Sequence, residues 1–326
     1  MTGFLSVSNS VSIKKARTYR ILKHLRNRTL LDRIESEWRQ YLRGRRLKWW
    51  NFQVDKLKKF TTRIQRGIKI YLYFDSRLSQ IIFCHDFEWE ERHFLNTFLR
   101  QGDVFVDIGA NIGLFTLIAA YRVGKTGRVF SFEPTFEIYQ RLNENIKLNN
   151  FNNVYRFQWA LSDAESEGSF FKSQNGYDAW NSFAKPIAGE TFIKETVQCK
   201  RWDDFARDNQ LFGNVTMMKI DVEGWETRVL IGACEMLYRK DAPVLMVEFT
   251  EEAARSAGSS CKDLYCLLEQ FGYQMYTYNS KSQMLICDPL RDSYPYINLI
   301  AAKDKNYIHK RLRNKSFWHR FKYKLR

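Results

Sequence analysis

The sequence predicts an α/β fold, a mostly parallel sheet with helices on both faces. Three observations carry that expectation. Residues 104–133 read as strand, glycine loop, helix, strand and acid. Short apolar runs then alternate with helical patterns through most of the chain, as successive βα units do. Acids recur where the strands should end: Asp107, Glu133, Asp163, Asp221 and Glu248. In such sheets a ligand sits beyond the carboxyl ends of the strands.

The first unit begins with Val104-Phe105-Val106 and ends at Asp107. The loop Gly109-Ala110-Asn111-Ile112-Gly113 follows. Leu114, Leu117, Ile118 and Tyr121 then hold the i, i+3, i+4, i+7 spacing of one helix face, and Gly124 and Gly127 stop it. Val129–Phe132 forms the next strand before Glu133. Upstream, 68–74 and 80–84 read as strands. Glu88, Glu90 and Glu91 open a helix with Phe94, Leu95, Phe98 and Leu99 as its face, and the expected role of these acids is to complement the helix dipole. Downstream, Ile138, Leu142 and Ile146 mark a helix, and Val154–Trp159 a third strand running into Ala160-Leu161-Ser162-Asp163. The polar stretch 173–190 is expected to loop over the site. A short strand follows at Val197–Lys200, with a helix starting at Trp202. Val215–Ile220 is a fourth strand, and the helix after it is expected to start within Glu223–Glu226. Val244–Val247 is a fifth strand, Cys261–Phe271 a helix, Tyr273–Tyr278 a sixth strand and Asn298–Ala302 the last.

The loop chemistry narrows the ligand. Gly109 and Gly113 lack the Cβ atoms that would hold a ligand off the backbone, and both tolerate positive φ. Asn111 tolerates the left-handed region better than most residues. A dinucleotide loop reads G-x-G-x-x-G, whereas this one reads D-x-G-x-N-x-G. An acid before the loop suits a ligand with a positive charge and an amino group rather than a pyrophosphate, and Glu133 can accept from both ribose hydroxyls. S-adenosylmethionine has all of these features.

The segments VFVDIGANIG, FSFEP, ALSD and MKIDVEGWE resemble those of the FkbM family of S-adenosylmethionine-dependent methyltransferases. The likeness covers roughly 68–302. It implies the class I methyltransferase (Rossmann-like) fold, with a seven-stranded sheet whose last strand is antiparallel. It also implies O-methylation of a hydroxyl on a sugar, glycan or natural product. Carried onto this chain, Asp107, Gly109, Asn111 and Gly113 hold the methionine end of the cofactor, Glu133 the ribose, and Ser162 and Asp163 border the adenine. Asp221 and Glu223 face the acceptor, and either is a candidate base. The alternative is that Asp221 orients the cofactor amine and Glu223 caps its helix. His85 and His93 are weaker catalytic candidates. Asp221, Glu223 and Glu248 suit Mg²⁺ in ligand type, but no metal is expected.

Charge divides the chain into a basic, helical N-terminal extension (1–65), a methyltransferase domain (66–302) and a basic C-terminal tail (303–326). Residues 1–70 hold 19 Lys and Arg against 4 Asp and Glu, and 303–326 hold 10 against 1, while 71–302 hold 23 against 31. Ile13 to Tyr41 combines an apolar stripe with basic residues. A helical cap on the main domain explains that stripe as well as a membrane contact does. The segments 13–50 and 303–326 are expected to touch an anionic membrane. Nucleic acid is not an expected partner, because the body carrying the acids is itself acidic. An RNA-binding protein or RNA methyltransferase and a non-catalytic scaffold are the competing readings. The six scattered cysteines, the lack of a long apolar run and the lack of a signal-peptide core point to a reduced cytoplasmic compartment, at the inner membrane surface where the extensions bind.

Overall fold

The structure is a computed structural model that describes residues 28–84, 87–173 and 192–313. Its centre is an eight-stranded sheet. β3 (Val104–Ile108), β4 (Arg128–Phe132) and β5 (Val154–Phe157) run parallel on one side, and β9 (Met217–Ile220) and β10 (Val244–Phe249) continue from β3 on the other. β13 (Ile297–Ala302) enters antiparallel between β10 and β11 (Gln274–Asn279). These are the seven expected strands. β12 (Met284–Cys287) adds an eighth at the edge, antiparallel to β11.

The strands alternate with period two between two apolar layers. Phe105, Val129, Met217 and Met246 face one side, where α3 (Trp89–Phe98), α4 (Leu114–Val123) and α5 (Phe136–Leu148) pack. Val106, Phe130, Met218 and Val247 face the other, covered by α6 (Trp202–Asp208), α7 (Glu226–Gly232), α8 (Cys234–Tyr238) and α10 (Cys261–Gln270). Burial on both faces explains why these strands read as continuous apolar runs. α9 (Glu251–Ser256) follows β10 directly.

One expected strand is a helix. Residues 80–84 lie in α2 (Arg77–Cys84). The run Ile81-Ile82-Phe83 has strand-like residues, but the hydroxyl of Ser76 accepts a bond from the amide of Ser79 at 3.0 Å, the signature of an N-terminal cap. β5 also stops at Phe157, earlier than the run to Trp159 suggests. The chain then leaves the main sheet, and β6 (Ala160–Leu161) joins a three-stranded sheet with β7 (Ser166–Ser173) and β8 (Phe192–Lys200). The expected loop over the site, 173–190, lies outside the described residues apart from Ser173.

The flanking segments dock on the body. α1 (Arg28–Gln53) ends with Trp50 buried against Phe74 and Phe60, ring centroids 4.6 and 6.0 Å away. β1 (Lys59–Gln65) pairs with β2 (Ile68–Tyr73), so a hairpin spans the expected boundary at 65/66. Asn145 on α5 and Asn149 at its C-terminal cap bond the other edge of β2. Asn145 Oδ1 accepts from Tyr71 N at 2.6 Å, and Asn149 bonds both Lys69 N (2.8 Å) and Lys69 O (2.7 Å). Asn145 also donates to the carbonyl of Ile112 at 2.8 Å. At the other end, α11 (Lys305–Leu312) buries Ile308 and Leu312, and Arg311 pairs with Asp103. Residues 1–27 and 314–326, which carry the rest of the basic extensions, lie outside the described part.

Candidate functional site

A cavity opens beyond the carboxyl ends of β3, β4, β9 and β10. Asp107, Gly109, Asn111, Glu133, Asp221 and Glu223 line it, together with Glu248. Four of the five acids expected at strand ends therefore meet in one place.

Asp107 lies at the bottom and is fully buried. Its Oδ2 accepts a bond from Thr116 at 2.5 Å, while Oδ1 is buried with no hydrogen-bond partner. Burial pushes the carboxyl above its ordinary pKa, against the pull of Lys219. Parallel register places Lys219 beside Asp107. Lys219 Nζ sits 2.5 Å from Asp221 Oδ2. Burial opposes its charge, but Asp221, Glu88 and Asp107 together outweigh that and hold the ammonium protonated.

Gly109 has φ +78°, and a Cβ there would fall 1.8 Å from the carbonyl oxygen of Asp221. The loop after β3 and the turn after β9 thus touch backbone to backbone. Asn111, also at positive φ (47°), donates its amide to Glu133 Oε2 at 3.1 Å. Glu133 receives two more bonds from Thr135, yet burial raises its pKa to about 7. Gly113 does not line the cavity. Its φ is +95°, and a Cβ would press on Leu142 at 2.6 Å, so packing and backbone shape account for the glycine.

Ser162 and Asp163 also lie outside the lining. Ser162 accepts from the Trp225 indole at 3.1 Å and donates to Asp163, and Asp163 pairs with Arg228 at 2.7 Å. The neighbouring wall is formed by Trp159, Leu161 and Trp225.

Beyond β9 the chain turns through Glu223 (φ 52°) and Gly224 (φ 96°), and α7 begins only at Glu226. Glu226 accepts the amides of Val222 (2.9 Å) and Gly224 (3.3 Å) at the start of this turn. Carboxylate oxygens of Asp221, Glu223 and Glu248 lie within 4.8 Å of one another. Burial first, then the charges of its neighbours, raises Glu223 well above the usual carboxylate range, and Glu248 likewise. The three have the proximity a divalent cation needs, but Asp221 already holds the Lys219 ammonium.

Sequence reasoning missed three residues of this cavity. Glu88 does not sit in a helix first turn merely complementing a dipole. It precedes α3 in the left-handed region (φ 47°), and its side chain reaches the cavity. Tyr296 donates to Glu88 Oε1 at 2.5 Å, and Asn298 Nδ2 donates to the same oxygen at 3.2 Å. Burial raises Glu88 to about 7, with Lys219 lowering it and Asp221 raising it. Lys219 is the third. A lysine inside the apolar strand Met217–Ile220 is a signal in itself, since buried lysines are paired. Glu90 instead bonds Ser280 N at 2.5 Å. His93 bonds the Tyr278 hydroxyl at 2.8 Å and does not line the cavity, and His85 lies outside the described residues.

The fit to S-adenosylmethionine rests on two features of the cavity. The orphaned Asp107 oxygen offers a buried acceptor to an ammonium, and the acidic lining suits a sulfonium.

The chain is similar to known methyltransferases. Methyltransferase 1 of Beauveria bassiana (strain ARSEF 2860) is 31% identical over 144 residues, 39% of this chain and 57% of the relative. Methyltransferase sdnD of Sordaria araneosa is 30% identical over 163 residues, 42% of this chain and 62% of the relative. The matched stretch thus spans less than two thirds of either protein. Among solved structures, M. jannaschii TYW2 in complex with AdoMet aligns with TM-score 0.39 at 17% identity, over 76% of this chain and 85% of that one. The methyltransferase FkbM domain matches residues 107–275, more than half of the chain, from the acid at the floor of the cavity to β11. The chain belongs to the FkbM family of S-adenosylmethionine-dependent methyltransferases.

Proposed function

We propose that this protein transfers a methyl group from S-adenosylmethionine to a hydroxyl oxygen of a sugar, glycan or natural product. The observation that carries the reading is the cavity itself. It has a buried acid with one unpartnered oxygen at its floor, Asp107, and a second group of acids at its rim, Asp221, Glu223 and Glu248.

When bound, S-adenosylmethionine supplies a methyl group on a positively charged sulfur. Asp107 Oδ1 would accept from the methionine ammonium, with the Gly109–Asn111 loop holding that end. Glu133 accepts from the ribose hydroxyls. Ser162 orients Trp225, and Asp163 fixes Arg228 of α7. Both therefore act on the adenine end by building its wall. Lys219 pins Asp221 and sets the shape of the rim. Glu223 takes the hydroxyl proton. Its raised pKa comes from burial and the surrounding carboxylates, and a cation brought among them opposes that effect. Alignment of the two reactants supplies up to about 7–11 kcal/mol of such a barrier.

The test is calorimetry with S-adenosylhomocysteine, followed by label transfer from methyl-labelled S-adenosylmethionine into a small-molecule cell extract. Saturable binding and a labelled methyl ether are expected. Absence of binding sinks the reading, and label on nitrogen or on RNA replaces the acceptor class.

The location proposed is the surface of an anionic membrane, within the cytoplasm. No helix among the described residues is long and apolar enough to cross a bilayer. Phe52 and Leu57 are exposed beside Lys56 and Lys58 near the end of α1. Sedimentation with phosphatidylglycerol vesicles should fall steeply with salt. Equal sedimentation after removal of 1–27 and 314–326 would assign any contact to α1 rather than to the termini.

A further inference from the structure

The acceptor side of the cavity is built from residues outside the matched stretch 107–275, namely Glu88 and Tyr296, with Asn298 behind them. Their hydrogen-bond pattern is one-sided. The Tyr296 hydroxyl spends its single proton on Glu88 Oε1 at 2.5 Å, which leaves the phenol oxygen with lone pairs only. Asn298 spends an amide proton on the same carboxylate oxygen at 3.2 Å. Glu88 Oε2 and Asn298 Oδ1 are buried with no hydrogen-bond partner. Register places Asn298 opposite Glu248, itself carrying an unpartnered oxygen, Oε2. The nearby ammonium, Lys219, is bound to Asp221. Glu88 keeps its place at a backbone cost, since φ 47° is sparsely populated for a glutamate and such strain gathers at functional positions.

We propose that Tyr296, held by Glu88, which Asn298 holds in turn, is a specificity residue that accepts a hydrogen bond from a second hydroxyl of the methyl acceptor. The acceptor is then a neutral polyhydroxylated molecule such as a sugar, with a free hydroxyl next to the one that is methylated. This deepens the methyl-transfer reading and rests on it. The chemistry is selective in two ways. A surface presenting oxygen lone pairs rewards a ligand that donates, and it repels carboxylates and phosphates, which only accept. Tyr296 is 51% exposed, so an analogue lacking the donating hydroxyl leaves water in its place and loses one net hydrogen bond.

The test uses full-length protein saturated with S-adenosylhomocysteine, whose binding is first confirmed by calorimetry. Loss of that binding counts against the methyl-transfer reading and not against the subsite. Ligand-observed NMR then compares four probes: methyl glucoside, its per-O-methylated form, glucosamine and glucuronate. Methyl glucoside should bind, while the per-O-methylated sugar and glucuronate should not. Tyr296→Phe and Glu88→Gln should each weaken methyl glucoside about tenfold, the size of one hydrogen bond, with cofactor affinity kept in both and the melting temperature kept in Tyr296→Phe. Equal binding of the free and per-O-methylated sugars overturns the proposal. So does wild-type binding of methyl glucoside by both variants, or a response from none of the hydroxylated probes. Binding of glucosamine alone makes the donor an ammonium and overturns the polyol assignment.

Discussion

Replacing Glu133 by glutamine should remove a specific pH dependence from folding stability. Glu133 is 6% exposed and takes three hydrogen bonds, yet its pKa is raised from 4.5 to about 7, chiefly by burial. Below about pH 4.5 the carboxyl is protonated in both the folded and the unfolded chain, and there is no penalty. As pH rises from there toward 7 the unfolded chain ionises first, so folding loses stability at one proton's worth per pH unit. Above 7 the loss is complete. At 1.36 kcal/mol per pH unit it amounts to about 3 kcal/mol. Glutamine cannot ionise, so it lacks this dependence. It carries instead a constant cost of about 1–3 kcal/mol, because its amide NH₂ must face one of the donors, Asn111 N or the Thr135 groups. Urea unfolding of cofactor-free protein between pH 4.5 and 8 checks this. The variant should gain about 3 kcal/mol on the wild type across that interval. Two stability curves that stay parallel would refute the account of Glu133 as an acid held neutral by burial.

Three further outcomes are expected. Asp107→Asn should weaken S-adenosylhomocysteine binding at least about 30-fold in calorimetry while the protein stays folded, as loss of a buried charge contact does; unchanged affinity would remove Asp107 from the cofactor site. Glu223→Gln should lower kcat by about 10²–10⁴ with little change in cofactor affinity, and Asp221→Asn should disturb both, because it also releases Lys219; near wild-type turnover in the first variant assigns the proton elsewhere. Gly109→Ala should lower Tm, since positive φ alone costs about 1–2 kcal/mol and the added carbon meets the Asp221 carbonyl at 1.8 Å; an unshifted melting curve would mean that the two loops are not in contact in solution.

Much of the fold was legible because its strands obey one rule. β3, β4, β9 and β10 are covered on both faces, so each reads as a mainly apolar run, broken by Ser131 in β4 and Lys219 in β9, with an acid at or just beyond its carboxyl end. The residues that escaped notice were set by contacts distant in sequence. Glu88 looks like any acid at a helix start. Only the approach of Tyr296 and Asn298, some two hundred residues later, shows that its side chain turns into the cavity. Ser162 and Asp163 share the predicted edge of the sheet, but β6 pairs with β8, and their side chains serve Trp225 and Arg228. Residues 80–84 illustrate a local conflict. Their composition favours a strand, while the serine four positions earlier sets the backbone winding as a helix.

Asn145 of α5 and Asn149 at its C-terminal cap have a consequence for how this protein behaves among its own copies. A two-stranded ribbon such as β1–β2 leaves an outer row of amides and carbonyls free to recruit another chain. Alternate residues of a strand are about 6.6 Å apart, and residues four apart on a helix are about 6 Å apart. Asn145 and Asn149 therefore meet Tyr71 and Lys69 in step, and their carboxamides bond the β2 backbone as peptide groups of a neighbouring strand would. The helix impersonates a third strand and ends the ribbon. A doubly substituted Asn145→Leu, Asn149→Leu protein would expose a template for intermolecular pairing, and its failure would show first as self-association rather than as lost turnover.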